Sequence, residues 1–268
     1  MIFFIYLQFY NVAIIMTSCQ DRNRDSIPKV IHHTWFGEDP YPKLVRKCIA
    51  SWKKHLPDYD IITWTPDNFD MDICPWVRES YEAKKYAYTA DYVRYYVLHN
   101  YGGIYLDADV EVKKNFDPLL NSAGFIAFLH DHLTGVVLGS VKGLSYFGDV
   151  IDSYNNTSFL KGAVSEVEFL ESTLIRDGLL LNGKFQEING FCVYPYTYFP
   201  WTSLSSLGMP LDNAYVLHRP YVSWRDSYMY SIFNRCFSNN YELFNNVLNK
   251  TLGEERTRHL LNKLFLKK

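Results

Sequence analysis

A chain of 268 residues, 48% of them hydrophobic, is long enough to bury one sizeable core. Its 27 Lys and Arg against 29 Asp and Glu leave a net charge of -2, which excludes a general nucleic-acid binder, because there is no surplus of cations to displace phosphate counterions. The five cysteines (Cys19, Cys48, Cys74, Cys192, Cys236) contain no CxxC pair. They point to buried thiols in a reducing, cytosolic setting rather than to zinc or a disulfide framework.

Residues 1–26 stand apart. The opening MIFFIYLQFYNVAIIM is apolar, carries Gln8 and Asn11, lacks a basic leader and is short for a membrane span. It reads as a weak anchor, as a signal with a loose lipoprotein-like cleavage site at Cys19, or as a start misplaced ahead of Met16. In IPKVIHHTWFG, Val30 and Ile31 begin a buried strand, and Gly37, Pro40 and Pro42 mark a loop. PKLVRKCIASWKKHLP then sets Leu44, Val45, Cys48, Ile49, Trp52 and Leu56 at helical spacing, and Pro57 ends the helix. YDIITW is a second strand, so the three elements predict a βαβ unit with a parallel sheet.

AYTADYVRYYVLHNYGG predicts a helix with Ala90, Val93, Val97 and Tyr101 on one stripe and Gly102–Gly103 as its stop. IYLDADVEV is read as one strand. From Asp117 to about residue 210 the pattern is less regular, with strands at FIAF and GVVLGS and a helix over 165–181. The tail over 241–268 ends in an amphipathic helix with Leu260, Leu261, Leu264 and Phe265 among basic residues. That helix could dock on an anionic membrane surface or pack on the domain.

Side chains alternate along a strand, so Tyr105, Asp107 and Asp109 would share one face, the aspartates about 7 Å apart at their Cα atoms. Two carboxylates so placed suit a hydrated divalent cation, and oxygen ligands favour Mg²⁺ or Mn²⁺. By itself an Asp-x-Asp is weak, and a solvated strand end is much the commoner explanation of one. Asp91 and Arg94, three apart on the preceding helix, project to one side. They make either a surface ion pair of little consequence or an Arg suited to a diphosphate beside an Asp suited to sugar hydroxyls.

IPKVIHHTWFG, ADYVRYYVLHNYGGIYLDADV and the later VLHRPYVSW together resemble glycosyltransferase family 32, the DXD-motif sugar transferases of capsule and lipopolysaccharide clusters and of yeast mannosylation. The resemblance is dense over 27–125 and thinner over 190–226. It implies an α/β fold of GT-A type, a Rossmann-like mixed sheet flanked by helices, spanning 27–240. It implies metal-dependent, retaining transfer of a hexose or N-acetylhexosamine to a growing surface polysaccharide or lipopolysaccharide. The donor would be a UDP-sugar or GDP-mannose, the cofactor Mn²⁺ or Mg²⁺, and the acceptor a glycan or lipid-linked glycan. The setting would be the cytoplasm or the inner face of the bacterial plasma membrane, with peripheral membrane contact.

Residue by residue, Trp35 is similar to the tryptophan that stacks on the base, and Asp91 and Arg94 to the pair that holds the transferred sugar. Asp107 matches the aspartate facing ribose and metal, and Asp109 the direct metal ligand. His218 and Trp224 match the late elements that complete metal, phosphate and donor binding. The family's Gly-Pro acceptor motif is missing, although YPYTYFPW resembles the aromatic segment ahead of its closing loop. Two competing functions use the same features: a nucleotide-sugar hydrolase, and a non-catalytic glycan-binding lipoprotein.

Overall fold

The structure is a computed structural model that describes residues 26–129, 132–161, 166–201 and 212–219. The opening apolar stretch, Trp224 and the C-terminal tail lie outside the described residues. Among the described residues there are five α-helices: α1 (Lys43–His55), α2 (Pro75–Glu82), α3 (Tyr86–Tyr101), α4 (Ser145–Asn155) and α5 (Glu166–Arg176). The strands are β1 (Val30–Thr34), β2 (Asp60–Trp64), β3 (Gly103–Leu106), β4 (Val110–Val112), β5 (Gly124–Leu129), β6 (His132–Ser140), β7 (Gln186–Ile188), β8 (Phe191–Tyr194) and β9 (Val216–His218).

Seven strands form one mixed sheet in the order β2-β1-β3-β6-β5-β8-β7, and β4 and β9 form a separate ribbon. The expected βαβ unit is present: β1 and β2 pair in parallel from Val30–Asp60 to Thr34–Trp64, and β3 joins the other side of β1 in parallel. Period-two alternation splits the sheet between two cores. Tyr105, Ile126, Phe128 and Leu138 face α2, α3, α4 and α5, while Ile104, Leu106, Phe125, Ala127 and Val137 face Trp52 of α1 and Phe116. This is the mixed α/β sheet flanked by helices that the family resemblance implies. No helix among the described residues is long and apolar enough to cross a membrane.

Several sequence expectations change. IYLDADVEV is not one strand, since its two ends belong to different sheets. α3 has no single apolar stripe: it is buried on most sides from Thr89 to Leu98, whereas Tyr101 is 52% exposed and stacks on Trp64 at 5.7 Å. Cys48 and Cys74 are free and buried, as expected of reduced thiols, but Cys192 is disulfide-bonded.

The reversal from α3 into β3 needs its glycines. Gly102 and Gly103 have φ of 69° and 110°, and a Cβ on Gly103 would sit 2.7 Å from the Val30 carbonyl oxygen. His32 ties this turn to the sheet. Its Nε2 donates to the Gly102 carbonyl at 2.9 Å, and its Nδ1 accepts from Trp64 Nε1 at 3.1 Å, which fixes the neutral tautomer.

The neighbouring His33 is fully buried against Thr63 Oγ1 and the edge of Trp52. Burial first, and then His32, lowers its pKa from 6.5 to about 4. The unfolded chain therefore takes up the proton first. The stability this neutral histidine allows is complete above pH 6.5 and is lost as pH falls towards 4, by about 3 kcal/mol for His33. Melting curves between pH 7 and pH 4.5 should show that loss, and His33→Gln should flatten it.

Candidate functional site

The paired aspartates sit in a turn. β3 leaves the main sheet after Leu106, with Asp107 N donating to the Val136 carbonyl at 3.1 Å, and Val110 N then closes back on the Asp107 carbonyl at 3.0 Å. The chain next enters β4, whose partner is β9, and there Val110 lies opposite His218. His218 Nε2 is 3.3 Å from Asp109 Oδ1, and one ligand atom from each of Asp107, Asp109 and His218 lies within 4.8 Å of the others. The carboxylates thus converge because the strand breaks, not because they share a strand face.

Backbone bonds hold this geometry. Arg219 N donates to the Asp109 carbonyl at 3.0 Å, and His218 N donates to the Pro200 carbonyl at 2.9 Å. From α1, Trp52 Nε1 donates to the Val110 carbonyl at 2.7 Å, while Ser51 Oγ accepts from Val112 N at 2.8 Å. Trp201 bridges to His218 and packs edge-on against its ring at 4.9 Å.

Asp91 and Arg94 do not form a surface pair, for both are buried. Arg94 Nη2 lies 3.0 Å from Asp91 Oδ1 and 3.4 Å from Asp107 Oδ1, and Nη1 donates to the Gly135 carbonyl at 3.0 Å. The guanidinium also covers the Tyr105 ring at 5.1 Å, and the Tyr105 hydroxyl meets Thr34 Oγ1 at 3.1 Å. One arginine therefore ties helix, sheet and aspartate turn together. Desolvation raises the Asp107 pKa above the usual carboxylate range; Arg94 opposes the rise and Asp109 adds to it.

Trp35 is half-buried just beyond β1 and is linked to the cluster through Thr34 and Tyr105. Its Nε1 donates to the Asp39 carbonyl at 2.9 Å, and its ring packs edge-on with Tyr41 at 4.8 Å. The structure thus brings Asp91, Arg94, Asp107, Asp109 and His218 to one place, with Trp35 at the adjacent strand end. Trp224 falls outside the described residues.

The triad fits a divalent cation. Three aspartates against one guanidinium leave two formal negative charges among these five residues, the complement of a dication. His218 Nδ1 is buried with no hydrogen-bond partner among the described residues, so the imidazole is not committed to a protein acceptor there. A nitrogen ligand beside two carboxylates suits Mn²⁺ better than Mg²⁺, which prefers oxygen alone.

Sequence reasoning missed Trp201, Gly135 and Glu111. Glu111 is buried on β4, where Arg219 Nε bonds one of its oxygens, Lys113 lies at 3.2 Å and Lys47 at 3.7 Å. Burial acts to raise its pKa, but hydrogen bonds from Lys113 and Arg219 prevail and lower it. The Glu111–Arg219 pair fastens β9, and with it His218, to the aspartate turn. Glu111→Gln should weaken Mn²⁺ binding by up to about tenfold, acting through Arg219 and the seating of β9 rather than through a bond to a ligand. A Mn²⁺ titration followed by thermal shift would show it, and an unchanged midpoint would contradict it.

A profile of the capsular polysaccharide synthesis protein family matches residues 4–161, and the chain belongs to that family. The chain is 32% identical over 139 residues to inositol phosphoceramide mannosyltransferase 3 of Schizosaccharomyces pombe, covering 50% of this chain and 39% of that one. It is 28% identical over 214 residues to "Uncharacterized glycosyltransferase L373" of Acanthamoeba polyphaga mimivirus, covering 74% of this chain and 84% of that one. Among solved structures it is similar to "PaToxG Glycosyltransferase", at 17% identity and a TM-score of 0.49, covering 64% of this chain and 76% of that one. The resemblance read from the sequence is borne out at the level of family. The chain spans well under half the length of the yeast mannosyltransferase it matches.

Proposed function

We propose that this protein is a metal-dependent glycosyltransferase that moves a hexose from a nucleoside-diphosphate sugar to a surface glycan or a lipid-linked glycan, with retention of anomeric configuration. The observation that carries this reading is the convergence of Asp107, Asp109 and His218 beside a buried Arg94–Asp91 pair. Membership of a family described by capsular polysaccharide synthesis and similarity to a mannosyltransferase support it, and they bring mannose forward among the hexoses.

Asp107, Asp109 and His218 would hold Mn²⁺, which when bound offsets the charge that grows on the departing diphosphate. Arg94, held from three sides, presents a fixed positive charge next to the same turn and needs no rearrangement as the bond breaks. Asp91 orients Arg94 and offers an acceptor for sugar hydroxyls. Trp35 provides an aromatic face at the carboxyl end of a parallel strand, where ligands of α/β sheets collect. Each aspartate in the cluster is committed to Arg94, to His218 or to metal ligation, so none serves as a nucleophile. Substitution then proceeds on one face: the acceptor hydroxyl attacks from the side on which the diphosphate leaves, and its proton passes to the departing phosphate oxygen.

A panel of UDP- and GDP-sugars, with and without Mn²⁺, tests the proposal through thermal stabilisation and sugar transfer. A ligand that binds only the native state raises the melting temperature. One diphosphate sugar should do so in the presence of Mn²⁺, and its sugar should appear on an added glycan acceptor. Free sugar released at a rate indifferent to every acceptor would instead mark a hydrolase. No stabilisation by any member of the panel would overturn the reading.

A further inference from the structure

The solvent face of α1 carries a one-sign charge pattern of which the candidate site uses only Lys47, through Glu111. Its exposed positions are Lys43, Arg46, Lys47, Ala50, Lys53 and Lys54, which fall at helical spacing along one side. Val45, Cys48 and Trp52 are buried on the other side. Five cations thus share a stripe, and no carboxylate stands among them, in a chain whose carboxylates outnumber its Lys and Arg.

Like charges at i,i+3 and i,i+4 weaken a helix, so Lys43 with Arg46 and Lys47 act against α1's own stability. The patch continues onto the ribbon. Lys47 reaches across to Glu111 at 3.7 Å and Lys113 reaches the same carboxylate at 3.2 Å, while Lys114, next in sequence and exposed, bonds the Asp212 carbonyl and keeps its charge without a carboxylate. His55, at the end of the helix, has its pKa lowered first by partial desolvation and then by Lys54 and Lys113, against Glu111, which raises it. Glu111 is the carboxylate paired with these lysines among the described residues, and Arg219 already occupies it.

We propose that the outer face of α1, extended by Lys113 and Lys114, docks this protein on an anionic phospholipid surface. The charges are mostly lysines spread along about 15 Å of helix rather than arginines converging on one point. That suits a diffuse lipid surface potential better than one bound phosphate. Ala50 at the middle of the stripe lets the helix lie flat. The sequence adds a second pointer: the apolar residues 1–16 precede Ile27 by ten residues, a reach of about 35 Å at full extension. Ile27 belongs to the same buried cluster as Trp52 and Leu56, at the base of α1. Because α1 packs directly on β4, the docked surface would lie about one helix diameter from the aspartate turn. A lipid-linked acceptor would then be presented close to the site.

The experiment is co-sedimentation of the full chain with neutral phosphatidylcholine vesicles and with vesicles containing phosphatidylglycerol, at low and high salt. Each cation near an anionic surface contributes about fivefold in affinity. The triple variant Lys43→Glu, Lys53→Glu and Lys54→Glu should therefore lose about 100-fold or more of its binding to anionic vesicles. Its binding to neutral vesicles, melting temperature and Mn²⁺-dependent nucleotide binding should stay at the wild-type level. Wild-type preference for anionic vesicles in the variant would overturn the proposal, as would a wild-type protein that bound dextran sulfate but no vesicle. Vesicle binding does not require transfer, so Asp109→Asn protein should still sediment as wild type does, which separates failure of this inference from failure of the enzymatic reading.

Discussion

Asp109→Asn is expected to lower sugar transfer about a thousandfold and to abolish Mn²⁺-dependent nucleotide binding while leaving the protein folded. The substitution keeps size and shape, and the side-chain oxygen can still face His218 Nε2, now 3.3 Å away. The turn itself is held by backbone bonds that do not involve the carboxylate, from Val110 N to the Asp107 carbonyl and from Arg219 N to the Asp109 carbonyl. What disappears is one of three negative charges, and with it the match to a dication. The melting temperature without metal should hold or rise slightly, since Asp109 is one of the groups that drive up the Asp107 pKa. Stabilisation by Mn²⁺ plus nucleotide should vanish. Wild-type transfer in this variant would remove the basis of the assignment.

Local signals in the sequence recovered much of the frame. Helical spacing in PKLVRKCIASWKKHLP and its closing Pro57 located α1, and the double glycine located the α3–β3 reversal. The break after Leu106 escaped because IYLDADVEV alternates like one continuous strand. Only pairing of β4 with β9, more than a hundred residues later, pulls the second half into another sheet, and single-sequence periodicity carries no such long-range term. The same blindness hid Glu111, whose partner Arg219 arrives one residue past β9. Asp91 and Arg94 were identifiable as a pair but not as a buried one, because α2 covers one part of α3 while α4, β1 and β6, all distant in sequence, cover the rest. α4 went unread although Tyr146, Phe147, Val150, Ile151 and Tyr154 follow helical spacing, for Gly148, Asp149 and Asp152 interrupt the apolar run. Trp201 offered only the aromatic density of its segment. Its contact with the His218 ring exists solely in the fold.

The largest stability effect should come from Arg94→Met. Removing the guanidinium strands Asp91, which is buried, and Asp107, which is a quarter exposed, without their shared partner, and it leaves the Gly135 carbonyl without its donor. Truncating one member of a buried pair typically costs 3–5 kcal/mol, and the partial exposure of Asp107 sets the expectation at about 3 kcal/mol. The sign with pH follows from linkage. Asp107 already has a folded pKa raised by desolvation, and loss of Arg94, which opposes that rise, raises it further, so the folded state is favoured below that pKa and penalised above it. The deficit relative to wild type should shrink as pH falls from 7 towards 5. Asp91→Asn combined with Arg94→Met should restore part of the loss, a coupling of about 1–3 kcal/mol in a double-mutant cycle. Arg94→Lys separates charge from geometry: an ammonium keeps the sign but cannot span Asp91, Asp107 and the Gly135 carbonyl as a planar fork does. It should remain closer to wild type in urea unfolding than Arg94→Met, yet lose transfer about a hundredfold. An Arg94→Met variant that unfolds within 0.5 kcal/mol of wild type, as ordinary surface substitutions do, would return the pair to the status of a solvent-facing contact.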